Sequence, residues 1–259
     1  MKLLVRAFQW LQYYMSSLNI GRPELSNNDI ELLKNLNLCV ERYPVPRLYI
    51  DTDKLIDHLG IPYVDKNHYH QIALNSEDGL KELEEYYSKF QPKQLSEIFL
   101  NNSDSNLKNI NDYPSWYFAN RMPWSTKQRV SRCGDIHKDI NAHFGPVNSV
   151  FAQSEWLRLK RASQSIVKNG YKPWLFPDGF IRGFIVCSKN KYVFIVTSGK
   201  HRAASLCNKY KKIRVRFDWD DYIPIVSKEK TDDLPQVASG LYTKEETQAL
   251  INRYVSLVE

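Results

Sequence analysis

The 259-residue chain has few glycines (10), few methionines (3) and only four cysteines. Each shortage excludes something. Cys39, Cys133, Cys187 and Cys207 show no CxxC spacing. That argues against a disulfide-stapled secreted scaffold and for reduced thiols in a cytoplasmic protein. No apolar run approaches the roughly 20 residues of a membrane-spanning helix. The opening segment "MKLLVRAFQWLQYYM" is interrupted by Arg6, Gln9 and Gln12, and no small-residue cleavage site follows. Leu4, Phe8 and Leu11 recur there at helical spacing, so it reads as an amphipathic helix packed on the protein, with a membrane-surface helix as the alternative. Internal repeats and low-complexity tracts are missing, as are GxGxxG, Walker and Gly-x-Ser-x-Gly motifs.

What is present supports a substantial core: 42% of residues are apolar and 13% aromatic. The net charge of +7 is unevenly placed. Residues 1–130 hold 15 Lys and Arg against 16 Asp and Glu, whereas residues 131–259 hold 21 against 13. The second half therefore carries +8, which suits an anionic partner such as nucleic acid, nucleotide phosphates or acidic sugars.

The first hundred residues read as mixed and mostly helical. "SNNDIELLKNLN" offers Ser26 or Asn28 as a cap, and "SEDGLKELEEYYSKF" offers Ser76. "YPVPRLYID" reads as extended. The loop-like stretch Asn101–Asp112 is the best candidate boundary. Further on, Phe151, Trp156, Leu159, Ala162, Ile166 and Val167 mark one face of a long helix. Asn148 or Ser149 caps its start and Gly170 stops it. "FIRGFIVC" and "KYVFIVT" read as a β-hairpin, followed by Ser198-Gly199, a helix from about Lys200 to Tyr210, and the strand "IRVRFDW". The closing helix "TKEETQALINRYVSLV" has Thr243 and Glu246 spaced as a capping box.

The informative anomaly is "TSGKHRAAS". Lys200, His201 and Arg202 fall in the first helical turn, where cations oppose the helix dipole. A bound anion reverses the sign of that effect, taking hydrogen bonds from the unpaired N–H groups and from the side chains. Gly199 lets the backbone approach such an anion. The plain alternative is three side chains pointing into water.

"SGKHRAAS" resembles the G-x-H-R-x-x-A signature of the sulfiredoxin/ParB-like superfamily. The order around it also fits: a helix with Ser165, Ile166 and Gly170, a hairpin, the turn, a helix and a strand, over roughly residues 146–226. The set Phe144, Glu155, Arg158, Leu159, Ser165, Tyr171 and His201 is similar to ParB-like proteins associated with surface-polysaccharide gene clusters. The resemblance implies an α/β (α+β) fold, a small mixed sheet with flanking helices. It divides the chain into a mostly helical region 1–112 of unassigned role, a nucleotide-binding domain 113–226 and a helical extension 227–259. It further implies that a nucleotide, ATP or another triphosphate with Mg²⁺, sits on Ser198, Gly199, Lys200, His201 and Arg202, helped by Arg158, Arg161 and Ser165 of the preceding helix.

Departures from the family narrow the chemistry. Lys200 stands where sulfiredoxins carry their catalytic cysteine, so sulfinic acid repair is not expected. ParB proteins have a Gly-x-Arg-Arg turn and a following helix-turn-helix domain, and this sequence has His201 and about 33 residues after Ser227. The surviving expectation is an ATP-dependent kinase of a small hydroxyl-bearing molecule, linked by the resemblance to surface-polysaccharide metabolism. Phosphoryl transfer uses a carboxylate near the accepting hydroxyl, for which Glu155 is the first candidate and Asp178 the second. Asp218 and Asp220 are candidate Mg²⁺ ligands. A ParB-like nucleic-acid-binding protein or nuclease, and a non-catalytic nucleotide-binding protein, remain as alternatives. Cys133, His137 and His143 do not match a zinc pattern, and His68 and His70 alternate as on a strand; all read as structural.

Overall fold

A computed structural model of the chain describes residues 25–41, 47–98, 115, 122–126, 143–175, 179–219 and 222–258. Helix α1 (Asn27–Asn35) begins on Ser26, which forms a capping box with Asp29. Strands β1 (Val40–Glu41), β2 (Arg47–Asp51) and β3 (Leu55–Ile56) follow. Then come helices α2 (Tyr69–Asn75), α3 (Gly79–Lys89) and α4 (Leu95–Ile98). The long helix α5 (Ser149–Asn169) leads into strands β4 (Ile181–Ser188) and β5 (Lys191–Ser198), helix α6 (Lys200–Cys207) and strand β6 (Lys212–Phe217). Strand β7 (Ile225–Ser227), helix α7 (Pro235–Ala238) and helix α8 (Lys244–Ser256) complete the order.

The strands form one mixed sheet in the order β1-β2-β6-β4-β5-β3, and β7 also pairs with β4. β4 is the centre. It runs antiparallel to β5 on one edge. On its other edge β6 pairs with Ile181–Gly183 and β7 with Ile185–Cys187, both parallel. β4 and β5 read as near-continuous apolar runs because both faces are covered. Helices α6 and α8 each pack on these two strands, and α5 packs on α6. The fold is thus mixed α/β.

Local signals explain the elements around the site. Asn148 Oδ1 accepts from the Phe151 N–H at 2.7 Å and starts α5. Gly170 ends it with φ +71°, a conformation that costs glycine little. Tyr171 then braces the sheet: its hydroxyl donates to the Arg214 carbonyl and accepts from the Ile181 N–H. Thr243 and Glu246 form the expected capping box at α8.

Three expectations are corrected. Asp78, not Ser76, caps α3, accepting from the Lys81 N–H at 3.2 Å. Ser76 instead ends α2. His68 and His70 are not on a strand: His68 caps α2 and His70 lies in its first turn. The division of the chain at 112 into separate regions also does not follow the sheet. β2 pairs with β6 and β3 with β5, so residues 47–56 belong to the same sheet as residues 181–217. The stretch Asn101–Asp112 and the opening segment lie outside the described residues. Among the described residues, no helix is long and apolar enough to cross a membrane.

Candidate functional site

The turn between β5 and α6 is built by one glycine. Gly199 has φ +87° and ψ 25°, the left-handed region. A Cβ there would lie 2.9 Å from Arg202 Nη2 and 3.2 Å from Ile181 Cα. No side chain caps α6, and no acid stands in its first turn. The helix therefore starts with Lys200, His201 and Arg202 against its own dipole, as the sequence suggests.

The anion that answers part of this charge is the protein's own. Glu155, in the second turn of α5, is 2% exposed. Its Oε2 lies 2.5 Å from Lys200 Nζ and 3.0 Å from His201 Nε2. Its Oε1 is 3.5 Å from Arg158 Nη1. Burial alone would raise the Glu155 carboxyl, but Lys200 and His201 outweigh it and hold it well below the usual carboxylate range. Burial pulls His201 down, which Lys200 reinforces and the Glu155 hydrogen bond opposes; the net shift is downward. A neutral His201 donates from Nε2 to Glu155, which leaves Nδ1 as an acceptor.

Beneath this pair lies a cluster absent from the sequence expectations. Five of the six histidines gather here, from four separate stretches of chain. His70 and His201 have ring centroids 5.2 Å apart, and His68 and His70 5.3 Å. His143 meets His58 edge-on at 5.0 Å. His68 Nδ1 accepts from the His70 N–H at 3.1 Å, while its Nε2 faces Asp57 Oδ2 at 3.5 Å. Burial pushes the fully buried His70, and the partly buried His143, well below the ordinary histidine range. Neither ring nitrogen of His70 has a hydrogen-bond partner among the described residues. One atom each from His70, Glu155 and His201 lie within 4.8 Å of one another. No family model, curated protein or solved structure matches this chain.

On the other side of the Gly199 turn is a row of arginines. Register aligns Arg47 of β2 with Arg216 of β6, Arg216 with Arg182 of β4, and Arg182 with Ser198 of β5. Residues in register on neighbouring strands share a face. Arg216 stacks on the Phe180 ring at 4.0 Å and Arg47 on the same ring at 5.2 Å. Arg202 joins them, its Nη2 donating to the Phe180 carbonyl at 3.2 Å. Arginine inside an apolar strand pattern, as in "RLYID", "IRGFIVC" and "KIRVRF", was the available signal. The alignment across three strands was not.

The structure thus brings Glu155, Arg158, Lys200 and His201 into contact, with Ser198 and Gly199 beside them in the chain. Arg202 turns toward Phe180 instead. Arg161 and Ser165 are exposed on α5, on the same side as Arg158. Asp218 is buried, and its Oδ2 accepts from the Thr197 hydroxyl. Among the described residues it joins no group of three metal-ligating side chains. Asp178 and Asp220, like Cys133 and His137, lie outside the described residues.

Proposed function

We propose that the chain binds a nucleoside triphosphate at the Ser198–Arg202 turn and transfers its terminal phosphoryl group to a small hydroxyl-bearing molecule. The observation that carries this reading is the arginine row. Arg47, Arg216 and Arg182 run in register to Ser198, directly before the uncapped start of α6. Helix N–H groups, guanidinium forks and Lys200 then offer donors to one polyanion. Phe180, stacked with two of the arginines, fixes them with little loss of freedom on binding.

Phosphoryl transfer through a loose transition state is governed by positioning and charge neutralisation. The bond from the γ-phosphorus to the bridging oxygen breaks and its electron pair leaves on the nucleoside diphosphate, while the acceptor oxygen bonds to that phosphorus and its hydroxyl proton passes to solvent. Lys200 and Arg158 neutralise the charge moving onto the phosphate oxygens. Glu155 carries a strongly depressed carboxyl, so it accepts a proton weakly. Its role in this reading is to position Lys200 and His201. Mg²⁺ bound with the triphosphate would add to the charge neutralisation that Lys200 and Arg158 supply. Asp218, turned to Thr197, is not one of its ligands in this reading.

The test is a thermal-shift screen of ATP, CTP and GTP with and without Mg²⁺. A ligand at 100 times its Kd adds about 2.7 kcal/mol to apparent stability. Stabilisation by one triphosphate, lost in Arg182→Gln and weakened in Arg158→Ala, supports the reading. Equal stabilisation of wild type and both variants refutes the site assignment. The +8 half and the arginine row also favour a second reading, binding to nucleic-acid backbone. That reading requires affinity for DNA or RNA that falls steeply with salt.

A further inference from the structure

We propose that His70, Glu155 and His201 form a binding site for one first-row divalent transition metal ion of the Zn²⁺ class. The ligand set is two imidazoles and one carboxylate, which suits such ions better than Mg²⁺ or Ca²⁺, whose ligands are oxygens. Their ligand atoms already lie within 4.8 Å of one another. Metal bonds of about 2.0–2.2 Å set ligand atoms roughly 3–4 Å apart, so the cluster closes on an ion with small side-chain movements.

The second, independent observation is His70 itself. It is fully buried, yet neither ring nitrogen has a hydrogen-bond partner among the described residues. A buried polar group without a partner costs free energy, and an ion bound to the ring's lone pair removes that cost for one of the two nitrogens. The backbone is fixed for the purpose: His68 caps α2 and holds the His70 N–H. Glu155 arrives from α5 and His201 from α6, two helices packed on each other. Three protein ligands leave at least one coordination position open, the pattern of reactive rather than purely structural sites.

Lys200 is the ion's competitor. Its ammonium lies 2.5 Å from the same Glu155 oxygen that His201 contacts. The Lys200 side chain is 19% exposed, so its flexible stem can swing outward and yield the carboxylate. The ammonium and the metal ion thus exclude one another at Glu155. This site does not depend on nucleotide binding.

The test is titration of metal-free, untagged protein with Co²⁺ as an optical probe and Zn²⁺ in competition, without nucleotide. The expected result is one saturable site per chain, seen as a visible Co²⁺ absorption that Zn²⁺ abolishes. Lys200→Met raises affinity about tenfold, and binding in that variant alone still supports the site. His70→Gln lowers affinity by more than about 100-fold, beyond the roughly 10–100-fold loss typical of an outer-shell partner. His201→Ala, at a partly exposed position, carries the same prediction if His70→Gln does not fold. No saturable binding in wild type or Lys200→Met overturns the proposal. So does unchanged affinity in folded His70→Gln or His201→Ala.

Discussion

The two sides of the Gly199 turn handle charge in opposite ways. On one side, histidines pack together and burial lowers His70 and His201 toward the neutral form, while Glu155 gathers Lys200, His201 and Arg158. On the other side, arginines stand in register across three strands and lean on an aromatic ring. Imidazole yields its charge when buried, whereas guanidinium does not. The first side can therefore be packed under the helices. The second lies at the strand ends, in register with Ser198 and so beside the start of α6. The +8 of the second half is thus not a diffuse surface property. Part of it is neutralised internally and part is concentrated beside one helix start.

The histidine side breaks first in acid. The folded-state pKa values of His70, His143 and His201 lie below the unfolded value of 6.5. The unfolded chain therefore binds more protons below that pH, and stability is full above about pH 6.5 and falls as pH drops. Each ring adds a slope approaching about 1.4 kcal/mol per pH unit. Glu155 adds a second loss below its ordinary value of 4.5, since its folded pKa is depressed. Urea midpoints at pH 7.5, 6.5 and 5.5 measure this; a flat profile would show that the rings are not buried neutral.

Glu155→Gln sharpens the comparison next. It leaves Lys200 and His201 facing an amide and costs about 3 kcal/mol by the usual loss on breaking a buried pair. Equilibrium unfolding at pH 7.5 reads this directly, and a cost under about 1 kcal/mol would remove Glu155 as the hub. Gly199→Ala comes third, at about 2 kcal/mol, because alanine strains the left-handed turn and its Cβ meets Arg202 and Ile181. Its thermal midpoint should fall while far-UV circular dichroism stays native. Arg158→Ala is the mildest, within about 0.5 kcal/mol of wild type, because the side chain is 65% exposed. Its effect should appear in triphosphate affinity rather than in stability.

Sequence reasoning reached what is local. The Asn148 cap, the Gly170 stop, the β4–β5 hairpin, the Gly199 turn and the Thr243–Glu246 box each depend on a few neighbouring residues. Glu155 and Lys200 both stand out as candidates in the sequence, but their contact across 45 positions leaves no mark there. The histidine cluster stayed hidden for a similar reason. His58, His68 and His70 come from a stretch that joins the sheet through β2 and β3, and strand pairing at long range leaves no periodic trace. His68-x-His70 also mimics strand alternation, although His68 caps a helix. The arginine row fails to show in sequence because register between β2, β6 and β4 is set by pairing, not by spacing along the chain.

The most direct test of the central claim is calorimetric titration of Mg·ATP, and then Mg·CTP, into wild-type protein and Arg182→Gln. One saturable site per chain is expected for at least one triphosphate in wild type, with a large loss of affinity in the variant. Absence of binding by both triphosphates at millimolar concentration, or equal affinity in the two proteins, would contradict it.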